Sequence, residues 1–485
     1  MGKKSKKIKD TKKKPVSQKF SLSERIDNVL SVRWIPVLIF IILSIFYFRA
    51  EIFEPVVLFS SEGSVVGYGD AGGSFKDFTN PFKETGTWAH RYMGGHPVAQ
   101  SLVDYTVMFF KNYRATALWV VVLMFLAGLF MFYYMRAMGL KKSTALLIGT
   151  AYMFAPMFLS FTKAMHYSKM GVMAFLPLIF FNIEKGMKEG KFRYFLYLGG
   201  CIALAICTAH LQYAYFSLLA SGLYFIFKLA IGLKNKEQVK SLFVKVVFYC
   251  FAVIIGFGLS ARCFIPQYFH TSQQSKRAFT VEEGVKQEGV GIEYSASWSL
   301  HPEEIASYLL PEFGHFDDYY WGRNIFKINT EYFGSIILLL SLMSLIFVKR
   351  DKNLFYFWGI FIVGILFSLG LHTPVFKICY YVIPGMKRLR GPSMSAFLVY
   401  FSAMVLAGIS LKYLFSDDKE NGDKYKYAYI ILGGCRFFIS SAFSFSAVDY
   451  FSLEGNIIFR YFTAESGGFR KKHTSNIKRS PSASH

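Results

Sequence analysis

Residues 116–135 read TALWVVVLMFLAGLFMFYYM, a stretch without a charged side chain or a proline. At about 1.5 Å of rise per residue it reaches across the roughly 30 Å hydrocarbon core of a bilayer as one helix. It shows neither the period-2 alternation of a half-buried strand nor the one-sided stripe of a soluble helix. Similar apolar blocks recur at about 34–50, 144–161, 170–183, 195–210, 212–231, 246–261, 332–348, 354–370, 395–411 and 427–447. The chain therefore reads as an all-α polytopic membrane protein of about 11 transmembrane helices.

Composition agrees, since 53% of the 485 residues are hydrophobic and only 18% are charged. The net charge of +24 falls in short basic clusters between apolar blocks, where the positive-inside rule accounts for it and no nucleic-acid partner is implied. A lysine-rich run, Lys3 to Lys14, precedes the first span. Arg49 and Glu51 follow that span directly, so it reads as an uncleaved helix with its N-terminus in the cytoplasm, the protein crossing the membrane many times. Every second connection then falls inside, and these carry Arg136, Lys141 and Lys142; Lys185, Lys188, Lys191 and Arg193; Lys234 to Lys245; Lys349, Arg350 and Lys352; and Lys412 to Lys426. All five agree with one topology.

That topology divides the chain into a basic cytoplasmic tail (1–33), a membrane region (34–435) and a polar C-terminal tail (436–485). Long extracytoplasmic loops fall at 51–114, 262–331 and 371–392. Long loops rich in Gly, Pro, aromatic and acidic residues at one face are where a site is built. Inside the spans, only Lys228 and Arg436 break an otherwise uncharged interior. Ion-coupled transporters place ionisable groups near the midplane, so the chemistry is expected at the outer surface. The six cysteines form no CxxC pair and read as packing residues.

In the first loop Asp70 stands in VVGYGDAGGSF, residues 65–75, where glycines let backbone approach a ligand; a plain turn aspartate fits the same pattern. Glu54 and Asp77 are further carboxylates there, and TWAHRYMGGHPVAQ, residues 87–100, adds His96 among stacking, charged and flexible residues. The turn SFTKAMHYSKMG, residues 160–171, places His166 and Lys169 where cations meet a lipid phosphate or where lysines snorkel. His210 and Gln212 occupy the tight turn TAHLQYAYF, residues 208–216, either as ligand contacts or as structural groups. SWSLHPEEIASYLLPEFGHFDDYYWGRN, residues 297–324, is dense in acids and histidines but lacks a fixed metal-ligand spacing such as HExxH. A divalent cation is left open by this, and no organic cofactor is indicated. Arg388 and Arg390, in HTPVFKICYYVIPGMKRLRGPSM, residues 372–394, are basic residues on an outer loop, against the positive-inside bias, and point to a phosphate partner.

The order of these features resembles the YfhO-type bacterial membrane proteins, which are similar to glycosyltransferases of the GT-C fold. The segments that carry the resemblance are the acidic, glycine-containing first loop, GGHP (94–97), the run from HPEE (301–304) to EFG (312–314), YFGSIILLL (332–340) and VIPGMKRLRGPSM (382–394). It extends nearly to Lys426. The resemblance implies transfer of a sugar from a polyprenyl-phosphate carrier, held with membrane lipid, to a cell-envelope polymer or lipid acceptor. It also implies an acidic catalytic residue in the first outer loop, the position that Asp70 matches. No DxD or DE pair surrounds Asp70, so metal dependence does not follow. A transporter or flippase of lipid-linked saccharides and a non-catalytic envelope assembly factor are the rival expectations.

Overall fold

The computed structural model describes residues 22–53, 87–89, 96–98 and, apart from 165, 209, 276, 283–284, 312, 315–319, 325–326, 328 and 349–350, residues 114–415. Glu54, Asp70, Asp77, the expected span 427–447 and the tail from 436 lie outside the described residues. The chain divides into two units, residues 1–49 with 57–413, and residues 50–56 with 414–485. Of the second, only 50–53 and 414–415 are described.

The helices follow the apolar blocks. They are α1 (Leu22–Val29), α2 (Trp34–Tyr47), α3 (Arg49–Phe53), α4 (Arg114–Ala137), α5 (Lys142–Phe154), α6 (Pro156–Lys163), α7 (Tyr167–Glu189), α8 (Phe192–Cys207), α9 (Leu211–Lys234), α10 (Val239–Leu259), α11 (Ala261–Phe269), α12 (Ile292–Ala296), α13 (Ser335–Phe347), α14 (Asn353–Ser368), α15 (Pro374–Val382) and α16 (Ala396–Leu414). Two antiparallel hairpins accompany them, β1 (Thr87–Ala89) with β2 (His96–Val98) and β3 (Phe279–Glu282) with β4 (Val285–Glu288). Among the described residues, five helices are long and apolar enough to cross a membrane, or six when the bent pair α5 and α6 is taken as one span. Four more apolar helices, at 34–47, 192–207, 335–346 and 353–368, are shorter than a span of this thickness usually is.

The stretch expected as one span at 144–161 is broken, with α5 and α6 meeting at 41°. Pro156 is the reason. Its ring disfavours helical backbone at the preceding residue, and Ala155 is extended at ψ 137°. The break leaves Met157 N–H free of an intrahelical acceptor, and it donates to Tyr332 O at 2.9 Å. Thr330 N–H donates to Ser160 Oγ at 3.3 Å, so the chain leading into α13 is seated against this kink.

α7 and α16 are buried over most of their length, whereas α10 is largely exposed, as a helix facing lipid is expected to be. Aromatic residues of α16 knit the interior. Phe397 stacks on Tyr213 of α9 with ring centroids 4.4 Å apart, Tyr400 stacks on Tyr152 of α5 at 4.7 Å, and Phe401 meets Phe180 of α7 at 4.8 Å. Small residues permit close helix approach elsewhere: a Cβ on Gly149 would lie 2.7 Å from Gly128 O, and one on Gly256 of α10 would lie 2.6 Å from Ile202 of α8. Lys228, one of the two charged residues noted inside the apolar spans, is paired: its Nζ lies 2.6 Å from Glu184 of α7, and each side chain is 13% exposed. Tyr224 donates to the same carboxylate at 2.7 Å. Pairing of this kind is how a charge is tolerated away from water.

Candidate functional site

At one end of the bundle, two interhelical turns stand together. His166 is the residue before α7, and Lys169 lies in the first turn of that helix; Lys169 Nζ is 2.8 Å from His166 Nδ1. The ammonium faces the rings of Phe161 and Tyr213, 5.4 and 5.9 Å from their centroids. Lys169 is 8% exposed, so its head is held among aromatic faces and does not snorkel to the surface. His210 precedes α9 and accepts a hydrogen bond from Tyr213 N–H at Nδ1, 3.3 Å away, which caps the helix. Burial, reinforced by the charges of Lys169 and His166, holds the His210 imidazole well below the usual histidine range. It is therefore neutral at pH 7, as an accepting Nδ1 requires.

Gln212, one residue into α9, donates through Nε2 to the carbonyl of Arg390 at 2.7 Å. Tyr215, one turn later, donates to Pro384 O at 2.6 Å. These two bonds anchor the loop that carries the unexpected arginines onto α9. The loop is fastened from its other side by the segment 290–300: Val290 N–H donates to Lys387 O at 2.8 Å, Ser295 Oγ donates to Leu389 O at 2.8 Å, and Gly391 N–H donates to Ser295 O at 3.2 Å. Leu300 N–H reaches Ser368 O, at the end of α14, at 2.9 Å. Gly385 and Gly391, at φ +81° and +76°, make the reversals on either side of Met386 to Arg390.

The two arginines differ in role. Arg388 pairs with the Glu288 carboxylate and lies 5.9 Å from the Tyr268 ring. Arg390 lies over two aromatic rings, its guanidinium carbon 3.7 Å from the Trp298 ring centroid and 4.5 Å from that of Tyr294, and its Nε donates to Ser297 Oγ at 2.6 Å. Trp298 has φ +65°, a conformation that bulky L-residues rarely adopt and that surrounding contacts must hold.

Beside this stack lies a cavity of about 510 Å³, whose lining includes Glu293, Trp298, His301, Arg323, His372 and Arg390. His301 and His372 approach at 3.1 Å between Nδ1 and Nε2. His301 is fixed from behind: Glu304, buried at 1% exposure, accepts the His301 N–H at 2.9 Å and the Tyr320 hydroxyl at 2.6 Å. The wall thus carries the Trp298 indole and two guanidiniums, Arg390 and Arg323, the second paired with Glu303 at 3.4 Å, with Glu293 as a single carboxylate among the lining residues. A second cavity, of about 540 Å³, is lined by residues 288–294 with parts of the loops around them, and shares Glu293 with the first.

Of the residues singled out in the sequence, the structure brings together His166, Lys169, His210, Gln212 and Arg390 around the N-terminal turns of α7 and α9. Arg388 stands beside them, engaged by Glu288. His96 lies in β2, opposite Ala89. Glu293 and Tyr294 escaped the sequence reading, because GIEYSA, residues 291–296, carries no recognisable spacing. Among the described residues no group of three or more His, Cys, Asp and Glu is arranged to hold a metal ion.

Long apolar helices that carry a polar, partly cationic loop assembly at one end define a polytopic membrane protein. Within that class the chain belongs to the YfhO family: the model described as "Bacterial membrane protein YfhO" matches residues 92–380, more than half of the chain. The match includes both turns and most of the cavity lining, and ends ten residues before Arg390. No curated protein matches the chain.

Proposed function

We propose that this protein is a membrane glycosyltransferase with a GT-C-like architecture, seated in the bacterial inner membrane with its N-terminus in the cytoplasm. It moves a sugar from a polyprenyl-phosphate carrier to a cell-envelope polymer or lipid at the outer face. The observation that carries this reading is the cationic and aromatic cavity beside Arg390. A planar guanidinium with donors in a fixed fork suits a phosphate, and an indole face suits a sugar ring.

In this reading the acceptor hydroxyl attacks the anomeric carbon of the donor sugar as the bond from that carbon to the lipid phosphate oxygen breaks. Asp70, which lies outside the described residues, takes the hydroxyl proton as general base, with Asp77 and His96 contributing to the substrate surface. Arg390 and Arg323, with the His301 and His372 imidazoles as hydrogen-bond partners, meet the charge that develops on the departing phosphate. Lys169 and Gln212 hold the turns on which that loop rests.

Proteoliposomes supplied with a panel of radiolabelled polyprenyl-phosphate sugars and envelope extract test this. Label is expected to leave the carrier for an acceptor, and Asp70→Asn and Arg390→Ala are each expected to lower that transfer at least a hundredfold. Carrier-bound label that is never transferred refutes the proposal, and label that merely changes leaflet shows a flippase instead.

A further inference from the structure

The second cavity differs from the first in charge and lining. It is bounded by Glu288, Glu293, Tyr294, Tyr380, Tyr381 and Lys387, together with backbone from Gly289 to Ile292. Tyr380 is committed to the fold, its hydroxyl donating to Val290 O. Tyr294 and Tyr381 are exposed, at 44% and 60%; Arg390 lies over the Tyr294 ring at 4.5 Å and Lys387 Nζ stands 5.8 Å from the Tyr381 centroid, so Tyr381 presents the more open ring to a ligand.

The electrostatics restrict what that ligand is. Glu288 is compensated by Arg388, which leaves Glu293 and Lys387 as one carboxylate and one ammonium on the wall. Such a pair attracts neither a phosphate nor a cation strongly, but it offers acceptor oxygens and donor hydrogens side by side. Flat aromatic faces with mixed donors and acceptors, in a volume of about 540 Å³, fit a neutral polyhydroxylated ring system.

Position adds the second part of the argument. Tyr294 lines this cavity, Trp298 lines the cationic one, and the Arg390 guanidinium lies over both rings. Glu293 lines both cavities. Glu293 and the Arg390 cluster therefore stand where the two cavities adjoin.

We infer that the second cavity is a saccharide site, and, resting on the transferase reading above, that it holds the acceptor glycan while Glu293 orients an acceptor hydroxyl toward the cationic cavity. Glu293 is a contact to substrate in this arrangement, and Tyr381 supplies the platform for a sugar ring.

The full chain in lipid nanodiscs, applied to an array of neutral, anionic and aminated bacterial oligosaccharides, tests the site. Retention on neutral glycans is expected, with apparent affinity reduced at least tenfold by Tyr381→Ala and by Glu293→Gln. Tyr381 is exposed, and Glu293→Gln preserves volume, so both variants are expected to fold; native-like elution and melting verify it. Absence of retention, retention confined to aminated glycans, or equal retention by folded variants overturns the inference. Retention that meets the expectation while proteoliposomes transfer no sugar leaves the saccharide site standing and removes the transferase reading alone.

Discussion

Replacing Arg390 by alanine is expected to loosen the segment 291–299 without unfolding the bundle, and the magnitude follows from its contacts. The guanidinium lies over two rings, at 3.7 and 4.5 Å, each worth about 0.5–1 kcal/mol at a partly exposed site. Its Nε donates a charge-assisted hydrogen bond to Ser297 Oγ at 2.6 Å, worth about 1.5 kcal/mol at the low end appropriate to partial exposure. The sum is about 3 kcal/mol, held against the unfavourable φ of Trp298, so local opening becomes roughly a hundredfold more frequent. Bonds to the loop's main chain that do not need the Arg390 side chain, from Gln212 Nε2 to Arg390 O and from Ser295 Oγ to Leu389 O, remain and confine the effect. Hydrogen exchange read by mass spectrometry should show amides 291–299 exchanging roughly a hundredfold faster in Arg390→Ala, with α7 and α16 unchanged. Arg390→Lys should recover less than half of the protection on a logarithmic scale, because an ammonium lacks the planar fork. Unaltered exchange in 291–299 would refute the stacking argument.

Three further outcomes are expected. His210 has a folded pKa below its unfolded value of about 6.5, so the stability tied to it is complete above pH 6.5 and is lost as pH falls below it; thermal melts in detergent should show a fall of up to about 1.4 kcal/mol per pH unit, removed in His210→Gln. Equal slopes in the two proteins would contradict that assignment. Lys327 and Glu331 form a buried pair, at 7% and 2% exposure, and Lys327→Met is expected to cost about 3–5 kcal/mol by stranding the carboxylate, whereas Lys327→Met with Glu331→Leu should recover most of it; a double variant no more stable than the single one contradicts this. A Cβ on Gly256 falls 2.6 Å from Ile202, while one on Gly258 meets nothing within 4 Å, so Gly256→Leu should lower the melting temperature sharply and Gly258→Leu should not, with similar melting of both as the refuting result.

The helices were legible because an uncharged run such as 116–135 has few other stable destinations. Hydropathy is silent about dihedral angles, however, and the break at Ala155 and Pro156 appears only when proline sterics are set against the apolar signal of 144–161. The loop arginines were visible as exceptions to a charge bias. Which of them faces a cavity was not, since Arg388 is engaged by Glu288 and Arg390 is stacked by Tyr294 and Trp298, partners about a hundred residues away in the chain. Pairings at that separation leave no local pattern. His210 and Gln212 were visible as polar residues in a turn, but capping and loop anchoring are properties of geometry that a short motif does not encode.

The anchoring pattern bears on how such a site keeps its shape at a membrane surface. The cationic cavity is built from loops, yet its fixed points are helix ends: Ser368 at the end of α14 receives Leu300, Gln212 at the start of α9 holds Arg390 O, and Glu304 fixes the backbone of His301. α9 is tied to α16 through Tyr213 and Phe397, and among the described residues α16 is the most buried of the long apolar helices. The position of Arg390 is consequently set by rigid packing in the apolar interior, which transmits small displacements because close-packed side chains do not deform continuously. A change at the Tyr213 and Phe397 contact should therefore disturb the cavity without touching it. Phe397→Ala is the corresponding perturbation, and its effect should appear as faster exchange at 291–299 as well as in α9 and α16, whereas Arg390→Ala affects 291–299 alone.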